Sequence, residues 1–162
     1  MQTRAIPMEE LTELIMLQLE NGGKAKLTVT GVSMMPMLRS RRDTVDLIPI
    51  TGKRNAGDII LYRRENGQYV LHRIIRVTEE GYICCGDNQA MREEVNHSQL
   101  LAVVDGFTYK DKHYTLEDPG YRLYAWACVK LFLFRKPYIA VRRRLGRLRS
   151  AIRRKRKGAN QK

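Results

Sequence analysis

The strongest constraint on the fold is a succession of short segments between residues 26 and 116, in which apolar and polar side chains alternate or form brief apolar runs. A period of two indicates half-buried β-strands, and turn-forming residues separate the segments. Asn66-Gly67 is a strong hairpin signal, and hairpins join antiparallel strands. The pattern predicts a mostly antiparallel β domain with strands at residues 26–30, 44–48, 58–62, 69–77, 82–85 and 101–109.

Helical patterns lie on both sides of this β region. Residues 8–20 predict an amphipathic helix that begins near Pro7, ends at residues 21–23 and has its apolar face formed by Leu11, Leu14, Ile15 and Leu19. From Tyr121 the pattern is helical again, first apolar and then arginine-rich, with Pro137 separating two segments. We therefore predict a mainly β, α+β chain with an N-terminal helix (1–23), a β domain (24–118) and a helical tail (119–162) whose end is disordered.

The charge of the chain is divided unevenly along its length. The net charge is +13, all 17 acidic residues lie at or before Asp118, and 13 of the 30 Lys and Arg residues lie at or after Arg135. The part before Arg135 therefore has 30 − 13 = 17 basic and 17 acidic residues, and is neutral. The whole excess of positive charge belongs to the last 28 residues.

The tail combines an apolar segment with a basic one. The apolar stretch 123–134 contains the only tryptophan, is interrupted by Lys130 and is too short for the roughly 20 residues that span a bilayer. Residues 135–157 contain 12 Lys or Arg and no acid. This order is typical of a helix that lies on an anionic membrane surface, so we predict that residues 121–157 bind one. A solvated tail and a nucleic-acid contact remain the alternatives.

The predicted location is peripheral to a membrane or cytoplasmic. Acidic residues at 9 and 10 interrupt any early apolar run, which argues against a cleavable signal peptide. Cys84 and Cys85 are adjacent and Cys128 is distant, so neither a disulfide framework nor a zinc site is predicted. His97 and His113 lie in polar, turn-like surroundings and are predicted to be surface residues. We predict no cofactor and no metal.

Ser33 is the strongest candidate for a reactive side chain. It follows a strand-like segment and Gly31, and Pro36 opposes a regular helix after it, so the serine is presented on a bend. A serine hydroxyl needs a base before it is a useful nucleophile, and His72 in the 69–77 strand is the candidate base. The structural alternatives are a turn-capping hydroxyl for Ser33 and a half-buried strand residue for His72.

Four segments resemble, in order, the conserved boxes of type I signal peptidases, serine proteases of mostly β fold that cut secretory leader peptides. The segments are Gly31-Val32-Ser33-Met34-Met35-Pro36, Gly57-Asp58-Ile59-Ile60, Tyr69-Val70-Leu71-His72-Arg73 and Gly86-Asp87-Asn88. The resemblance covers about residues 24–107. Histidine in place of the lysine base of bacterial housekeeping enzymes resembles the Ser-His branch of the family.

The resemblance implies a role for each matching residue. Ser33 would attack the peptide carbonyl to form an acyl-enzyme, and His72 would take the serine proton and pass one to the leaving amine. The backbone N–H of Ser33 would be one oxyanion donor. The chain departs from the family pattern at Gly31, where many members have a second oxyanion-binding serine. Two acids, Asp87 and Glu93, are candidates for orienting His72. The alternative for Asp87 is a turn residue that bonds only to local backbone groups.

A substrate would lie extended beside the Ser33 segment, with Met34 and Met35 lining its groove or, alternatively, packing in the core. The first hypothesis is therefore a Ser-His endopeptidase that cleaves leader peptides or membrane-proximal precursors. The second is a non-catalytic relative that binds peptides at a membrane. The third is a nucleic-acid-binding regulator that resembles self-cleaving repressors, although those use a lysine base.

Overall fold

A computed structural model describes residues 8–134 and Pro137, with side chains from Thr12 onward. These residues contain two helices and eight strands, with short 3-10 turns at His97–Gln99 and Phe132–Phe134. In chain order the elements are α1 (Met8–Glu20), β1 (Ala25–Thr28), β2 (Thr44–Ile48), β3 (Ile59–Arg63), β4 (Tyr69–Val77), β5 (Gly81–Cys85), β6 (Glu93–Asn96), β7 (Leu100–Tyr109), β8 (Lys112–Thr115) and α2 (Pro119–Lys130).

All strand pairs are antiparallel and form one sheet in the order β1-β2-β7-β3-β4-β5-β6, with β8 paired to β7. Over the described residues, the chain is therefore mainly β with an N-terminal and a C-terminal helix, and this α+β class is the one that the sequence predicts. The β3–β4 hairpin turns at Gly67, which has a φ of 84°, and the Arg64 N–H donates to the Gln68 carbonyl at 2.8 Å. Only a residue without a side chain adopts this backbone conformation readily.

Two apolar clusters cover the two faces of the sheet. The larger cluster includes alternate strand residues such as Ile59 and Leu61, and both helices pack against it. The smaller cluster includes the intervening residues Ile60 and Tyr62. Because β3 is buried on both faces from Ile59 to Tyr62, it is a central strand rather than an edge.

Helix α1 differs in one respect from its predicted amphipathic face. Ile15 and Leu19 are buried as expected, but Leu14 is 56% exposed and Thr12 is buried instead. Thr12, Ile15 and Leu19 are spaced by three and four residues, and so form one stripe toward the sheet. The predicted contribution of Leu14 to the apolar face is therefore wrong, and the side chain of Leu11 lies outside the described residues.

The tail is described only at its start. Helix α2 and the 3-10 turn at Phe132–Phe134 agree with the helical pattern predicted from Tyr121. The arginine-rich segment and the predicted disordered end lie outside the described residues, apart from Pro137. Within the described part of the chain, neither helix has the length and apolar character needed to cross a membrane.

Candidate active site

Ser33 lies on a bend after β1, and two hydrogen bonds tie this bend to the turn that follows β5. The Asn88 backbone N–H donates to the Ser33 carbonyl at 2.7 Å, and the Asn88 side-chain amide donates to the Val32 carbonyl at 3.2 Å. Gly31 has a φ of 82°, which permits the sharp change of direction before Ser33. The first and last of the four signal-peptidase-like segments are therefore in direct contact.

Gly86 allows this contact because it has no side chain. A Cβ at this position would come within 2.8 Å of the Ser33 carbonyl oxygen and 2.9 Å of the Ser33 Cβ. Gly86 follows Cys84 by two residues, and Cys84 pairs with Ile74 on the same face of the sheet as His72. If the alternation of side chains in β5 continues to Gly86, the direction in which its Cβ would point is the face of His72. Because Ser33 lies in that direction, the Ser33 bend lies on the same side of the sheet as His72.

His72 lies in the middle of β4 with only 2% of its side chain exposed. Its Nδ1 is 3.2 Å from the Tyr62 hydroxyl and 3.3 Å from Glu93 Oε1. Strand pairing explains this group, because Ile60 lies opposite His72 and Tyr62 is its diagonal neighbour on the same face. Glu93 lies opposite Cys84 on β6, two strands from His72.

Glu93 is held in place by two side chains, one from β3 and one from the residue that follows this strand. Arg64, just beyond the strand, donates from Nε to Oε2 at 2.7 Å and from Nη2 to Oε1 at 2.6 Å. The Tyr62 hydroxyl donates to Oε2 at 2.9 Å. Burial alone would raise the pKa of Glu93, but the hydrogen bonds from Arg64 and Tyr62 outweigh it and hold that pKa below its usual value. Glu93 is thus an ionised carboxylate that accepts hydrogen bonds from both residues.

This arrangement favours a proton on Nδ1 of His72. An ionised carboxylate only accepts hydrogen bonds, and the Tyr62 hydroxyl donates to Glu93. Nδ1 then faces two acceptor oxygens, those of Tyr62 and Glu93, at 3.2 and 3.3 Å, which favours the tautomer in which Nδ1 is the donor. Nε2 is left with a free lone pair, which is the state that a general base requires.

The surroundings keep His72 neutral and its second nitrogen accessible. Burial lowers the pKa of His72, and although Glu93 raises it, the net direction is below the ordinary value of 6.5. Nε2 has no hydrogen-bond partner among the described residues. In this part of the chain, Arg54 Nε is the only side-chain nitrogen or oxygen that is both fully buried and without a partner, so Nε2 is not fully buried. Nε2 therefore retains contact with accessible space.

Ser33 and His72 are not hydrogen-bonded to each other. Within residues 8–134, the hydroxyl of Ser33 makes no hydrogen bond, and neither does its backbone N–H. The hydroxyl and Nε2 are thus both uncommitted, and the N–H is available as an oxyanion donor. The N–H of Gly31, where many signal peptidases have a serine, is bonded to the Ser40 hydroxyl at 3.1 Å.

Asp87, the other acid considered for orienting His72, contacts a different residue. Both of its carboxylate oxygens accept from Arg73, at 2.9 and 2.8 Å, and one also accepts from the Tyr124 hydroxyl at 3.1 Å. Arg73 follows His72 directly, so its side chain lies on the opposite face of β4. Of the two acids, Glu93 is therefore the one in contact with the His72 ring.

The buried Arg73–Asp87 pair connects three of the signal-peptidase-like segments with α2. Arg73 Nη1 donates to the Gly57 carbonyl at 2.8 Å and to the Tyr121 hydroxyl at 3.1 Å. Its Nη2 approaches the Met37 sulfur at 3.5 Å. Both side chains of the pair are 0% exposed. The pair thus fixes the Ser33 bend and α2 relative to β4.

The two methionines next to Ser33 differ in burial. Met34 is only 2% exposed and belongs to the larger apolar cluster, so of the two alternatives predicted for it, core packing is the one observed. Met35 is half-buried. His97 and His113 are exposed, as predicted. Tyr62, Arg64 and Arg73 are site residues that the sequence does not single out, although Arg73 adjoins the candidate base.

Two strand edges near the site have no strand partner among the described residues. The Val29 N–H and carbonyl bond to Asp43 and Arg41 on the β2 side, so the backbone groups of Thr28 and Thr30 point the other way. On β4, pairing with β5 begins only at Arg73, which leaves one edge of residues 69–71 open. An extended peptide has free backbone groups to pair with on both edges.

Comparison with family models, with curated proteins and with solved structures finds no match to this chain.

Proposed function

We propose that the chain is a serine endopeptidase of signal-peptidase type, in which Ser33 is the nucleophile and His72 the general base. The observation that carries the proposal is the contact of His72 Nδ1 with an ionised Glu93, since it leaves Nε2 free to accept a proton. Glu93 acts here as a positioning residue. The Ser33 bend, bound to the Gly86–Asn88 turn near the same face, supplies a hydroxyl with no competing hydrogen bond.

The proposed reaction uses these groups in two steps. As the Ser33 hydroxyl attacks a peptide carbonyl, its proton passes to His72 Nε2, and the Ser33 N–H stabilises the oxyanion. The protonated imidazole then gives its proton to the leaving amine, and water hydrolyses the acyl-enzyme. The missing bond between Ser33 and His72 is compatible with this scheme, because catalytic hydrogen bonds are often long without substrate.

The proposed substrate is an extended leader peptide or membrane-proximal segment. It would add a strand between the open edge beside Thr28 and Thr30 and the open edge of residues 69–71. These edges end three residues before Ser33 and one residue before His72. A peptide paired with both edges would therefore present a main-chain carbonyl near the two side chains.

We also propose that the chain binds an anionic membrane surface through residues 121–157. Large apolar side chains on α2 and the turn after it are more than half exposed, namely Leu123, Trp126, Leu131, Leu133 and Phe134. Several large apolar side chains exposed within twelve residues of sequence are unusual unless they meet a partner; these five are called the apolar patch below. The basic residues that follow in the sequence suit a partner with negative charge. Leu131 and Phe134 of this patch line a cavity of about 350 Å³ together with Pro36, which lies three residues after Ser33.

The proposal is tested with the full chain and a leader peptide, by comparing Ser33→Ala with Ser98→Ala. Ser98 is an exposed serine in the 3-10 turn His97–Gln99, so its loss controls for general effects of the substitution. We expect Ser33→Ala to lose at least about 1,000-fold in kcat. Only the protein with intact Ser33 should gain the mass of an acylating serine inhibitor.

Equal turnover by Ser33→Ala and the unchanged protein would exclude Ser33 as the nucleophile. Binding of the leader peptide without turnover or labelling would instead indicate the non-catalytic peptide-binding relative, which Gly31 favours. Binding of DNA with cleavage of the chain itself would indicate the repressor-like alternative.

A further inference from the structure

Two cavities adjoin along one side of α2. Their volumes are about 340 and 350 Å³, and Pro36 and Tyr124 line both of them. The residues that α2 and its C-terminal neighbour contribute follow one another at intervals of one or three positions and form a single helical stripe, namely Gly120, Tyr121, Tyr124, Ala127, Cys128 and Leu131. At a rise of ~1.5 Å per residue, this stripe is roughly 16 Å long. The two cavities therefore form one elongated groove, which is called the α2 groove below.

The walls of the α2 groove are mostly apolar or aromatic. The segment after Ser33 and the β7–β8 hairpin complete the first cavity through Pro36, Met37, Phe107, Tyr109 and Tyr114. The Tyr121 hydroxyl accepts from Arg73 and the Tyr124 hydroxyl donates to Asp87, so both hydroxyls are used by the buried pair and the rings line the groove. Walls of this kind are typical of sites that bind the apolar body of a ligand.

Positive charge lies at the end of the groove that the β7–β8 hairpin forms. The Lys110 ammonium is 5.5 Å from the centroid of the Tyr109 ring, and the Lys112 ammonium is 5.4 Å from that of Tyr114. Both lysines are exposed. Asp118 also lines this end, but a backbone N–H of β8 donates to its carboxylate at 2.7 Å. A negatively charged head group at this end would therefore meet two ammonium groups.

The other end of the groove continues into the apolar patch. Leu131 and Phe134 belong to the patch and also line the second cavity. Apolar walls, a cationic end and this continuity with the patch together match a long apolar chain that has an anionic head. The arginine-rich segment of the protein itself is a poor match, because Lys110 and Lys112 repel a cationic segment.

We infer that the α2 groove binds one acyl chain of an anionic membrane lipid, with the head group beside Lys110 and Lys112. The inference rests on the membrane binding proposed above and does not depend on the peptidase activity. An acyl chain that moves from the bilayer into the groove stays out of water, so the transfer exposes little apolar surface. Because Pro36 and Met37 line the groove three and four residues after Ser33, one bound lipid would hold the candidate active site close to the membrane surface.

The first test measures the binding of lysophosphatidylserine to the full chain by isothermal titration calorimetry, below the critical micelle concentration. We expect one ligand per chain and a Kd that falls about tenfold for each two methylenes added to the acyl chain, until the groove is filled. Lysophosphatidylserine is used because it has the head group of the proposed lipid and dissolves as a monomer.

Gly120→Phe tests whether the chain lies in the groove. A Cβ at Gly120 would have no atom within 4 Å, so a larger side chain enters open space in the groove. The variant should raise the Kd by about tenfold or more, because the ring takes the place of several methylenes. Leu123→Phe puts the same ring on α2 at a residue that lines neither cavity, and should leave the Kd unchanged. Gly120→Leu repeats the test if Gly120→Phe does not fold.

Lys112→Glu tests the position of the head group. Reversing this charge should raise the Kd of lysophosphatidylserine by about fivefold or more, and should leave that of lysophosphatidylcholine with the same acyl chain unchanged. Lys53→Glu makes the same change at an exposed lysine that lines neither cavity, and should alter neither Kd.

Three outcomes overturn the inference. Equal Kd values for Gly120→Phe and the unchanged chain would show that the lysolipid binds elsewhere, and if phosphatidylserine vesicles still sediment with both, the proposed membrane contact stands without the groove. If Gly120→Phe binds the lysolipid normally but cleaves leader peptides more slowly, the groove holds part of the substrate instead. If the lysolipid binds but the vesicles do not, the ligand is a free amphiphile and the proposed membrane binding fails.

Discussion

The role proposed for His72 depends on the direction in which its ring is held. The residue is nearly buried, and the group beside Nδ1 is a carboxylate whose other hydrogen bonds come from Arg64 and Tyr62. Arg64 keeps Glu93 ionised, and an ionised Glu93 favours the proton of the ring on Nδ1. In the proposed mechanism, the nitrogen of His72 that acts as the base is therefore selected by side chains that do not take part in the reaction.

The Glu93→Gln variant tests this orienting role through the pH dependence of kcat/KM. In the unchanged protein, burial lowers the pKa of His72, so activity should fall on acidification with a midpoint below 6.5. Glu93→Gln removes the charge that raises this pKa, so the midpoint should move to still lower pH. The value of kcat should fall on the order of 100- to 10,000-fold, because the tautomer is no longer held.

Glu94→Gln is the matched control, since Glu94 is the exposed neighbour on β6 and its side chain points to the other face. It should leave both the midpoint and kcat unchanged. A Glu93→Gln protein that is less stable but keeps the pH profile of the unchanged protein would show that Glu93 has a structural role only.

How far the sequence predicts these residues depends on strand register. Ser33 and His72 follow from local patterns and their order, but the choice between Asp87 and Glu93 does not. Tyr62 illustrates the reason. A two-residue loop at Asn66-Gly67 would pair Leu61 with His72, whereas the observed three-residue loop pairs Ile60 with it. A shift of one residue moves Tyr62 to the other face and away from His72.

At the scale of elements, α2 is attached to the site by polar contacts as well as by packing. Tyr121 and Tyr124 lie over the Arg73 guanidinium at 5.6 and 5.5 Å, and each also hydrogen-bonds to the buried pair. Burial alone would lower the pKa of Arg73, but Asp87 outweighs this effect and raises it well above its usual value, so the guanidinium stays charged. A cation of this kind is tolerated in a core only with its partner.

The Asp87→Asn variant tests how strongly the fold depends on that partner. The substitution leaves the Arg73 charge buried without compensation, which typically costs about 3–5 kcal/mol. For a chain of this length we expect the melting temperature to fall by roughly 10 °C, as measured by circular dichroism. Asp105→Asn is the control, because it makes the same change in an exposed pair with Lys24, where solvent screens the charges. Equal melting temperatures for the two variants would contradict this account.

The predicted elements agree best with the structure where a local signal is strong. The strands at 44–48 and 69–77 have the predicted bounds, whereas β6 and β8 are not predicted. The four residues of β6 begin with two glutamates, so they have neither an apolar run nor β-branched enrichment. The strand forms because it completes the edge of the sheet next to β5, and Glu93 belongs to it. The sequence could not decide between the two acids because it gives no signal for β6, the strand that places Glu93 beside β5.

On the scale of the whole molecule, the two helices border two different cavities. Helix α1 lines a cavity between the open strand edges, while α2 and the turn after it line a cavity with Pro36. Two exposed apolar side chains after α2, Leu131 and Phe134, therefore share a cavity with a residue three positions from the proposed catalytic serine. A membrane bound there would hold substrates that emerge from its surface close to Ser33.

Membrane binding can be measured through Trp126, because it is the only tryptophan and is 55% exposed. Vesicles that contain phosphatidylserine should shift its fluorescence to shorter wavelength and sediment with the protein, whereas phosphatidylcholine vesicles should do neither at physiological salt. Added salt should weaken the binding, since it screens the basic residues.

Leu133→Glu should reduce the partition coefficient by about tenfold or more, because it removes a buried leucine from the bound state. Leu17→Glu changes a leucine on α1 that is also more than half exposed, and should have no effect. If both glutamate variants bind like the unchanged protein, the apolar patch does not enter the bilayer and the contact is electrostatic alone.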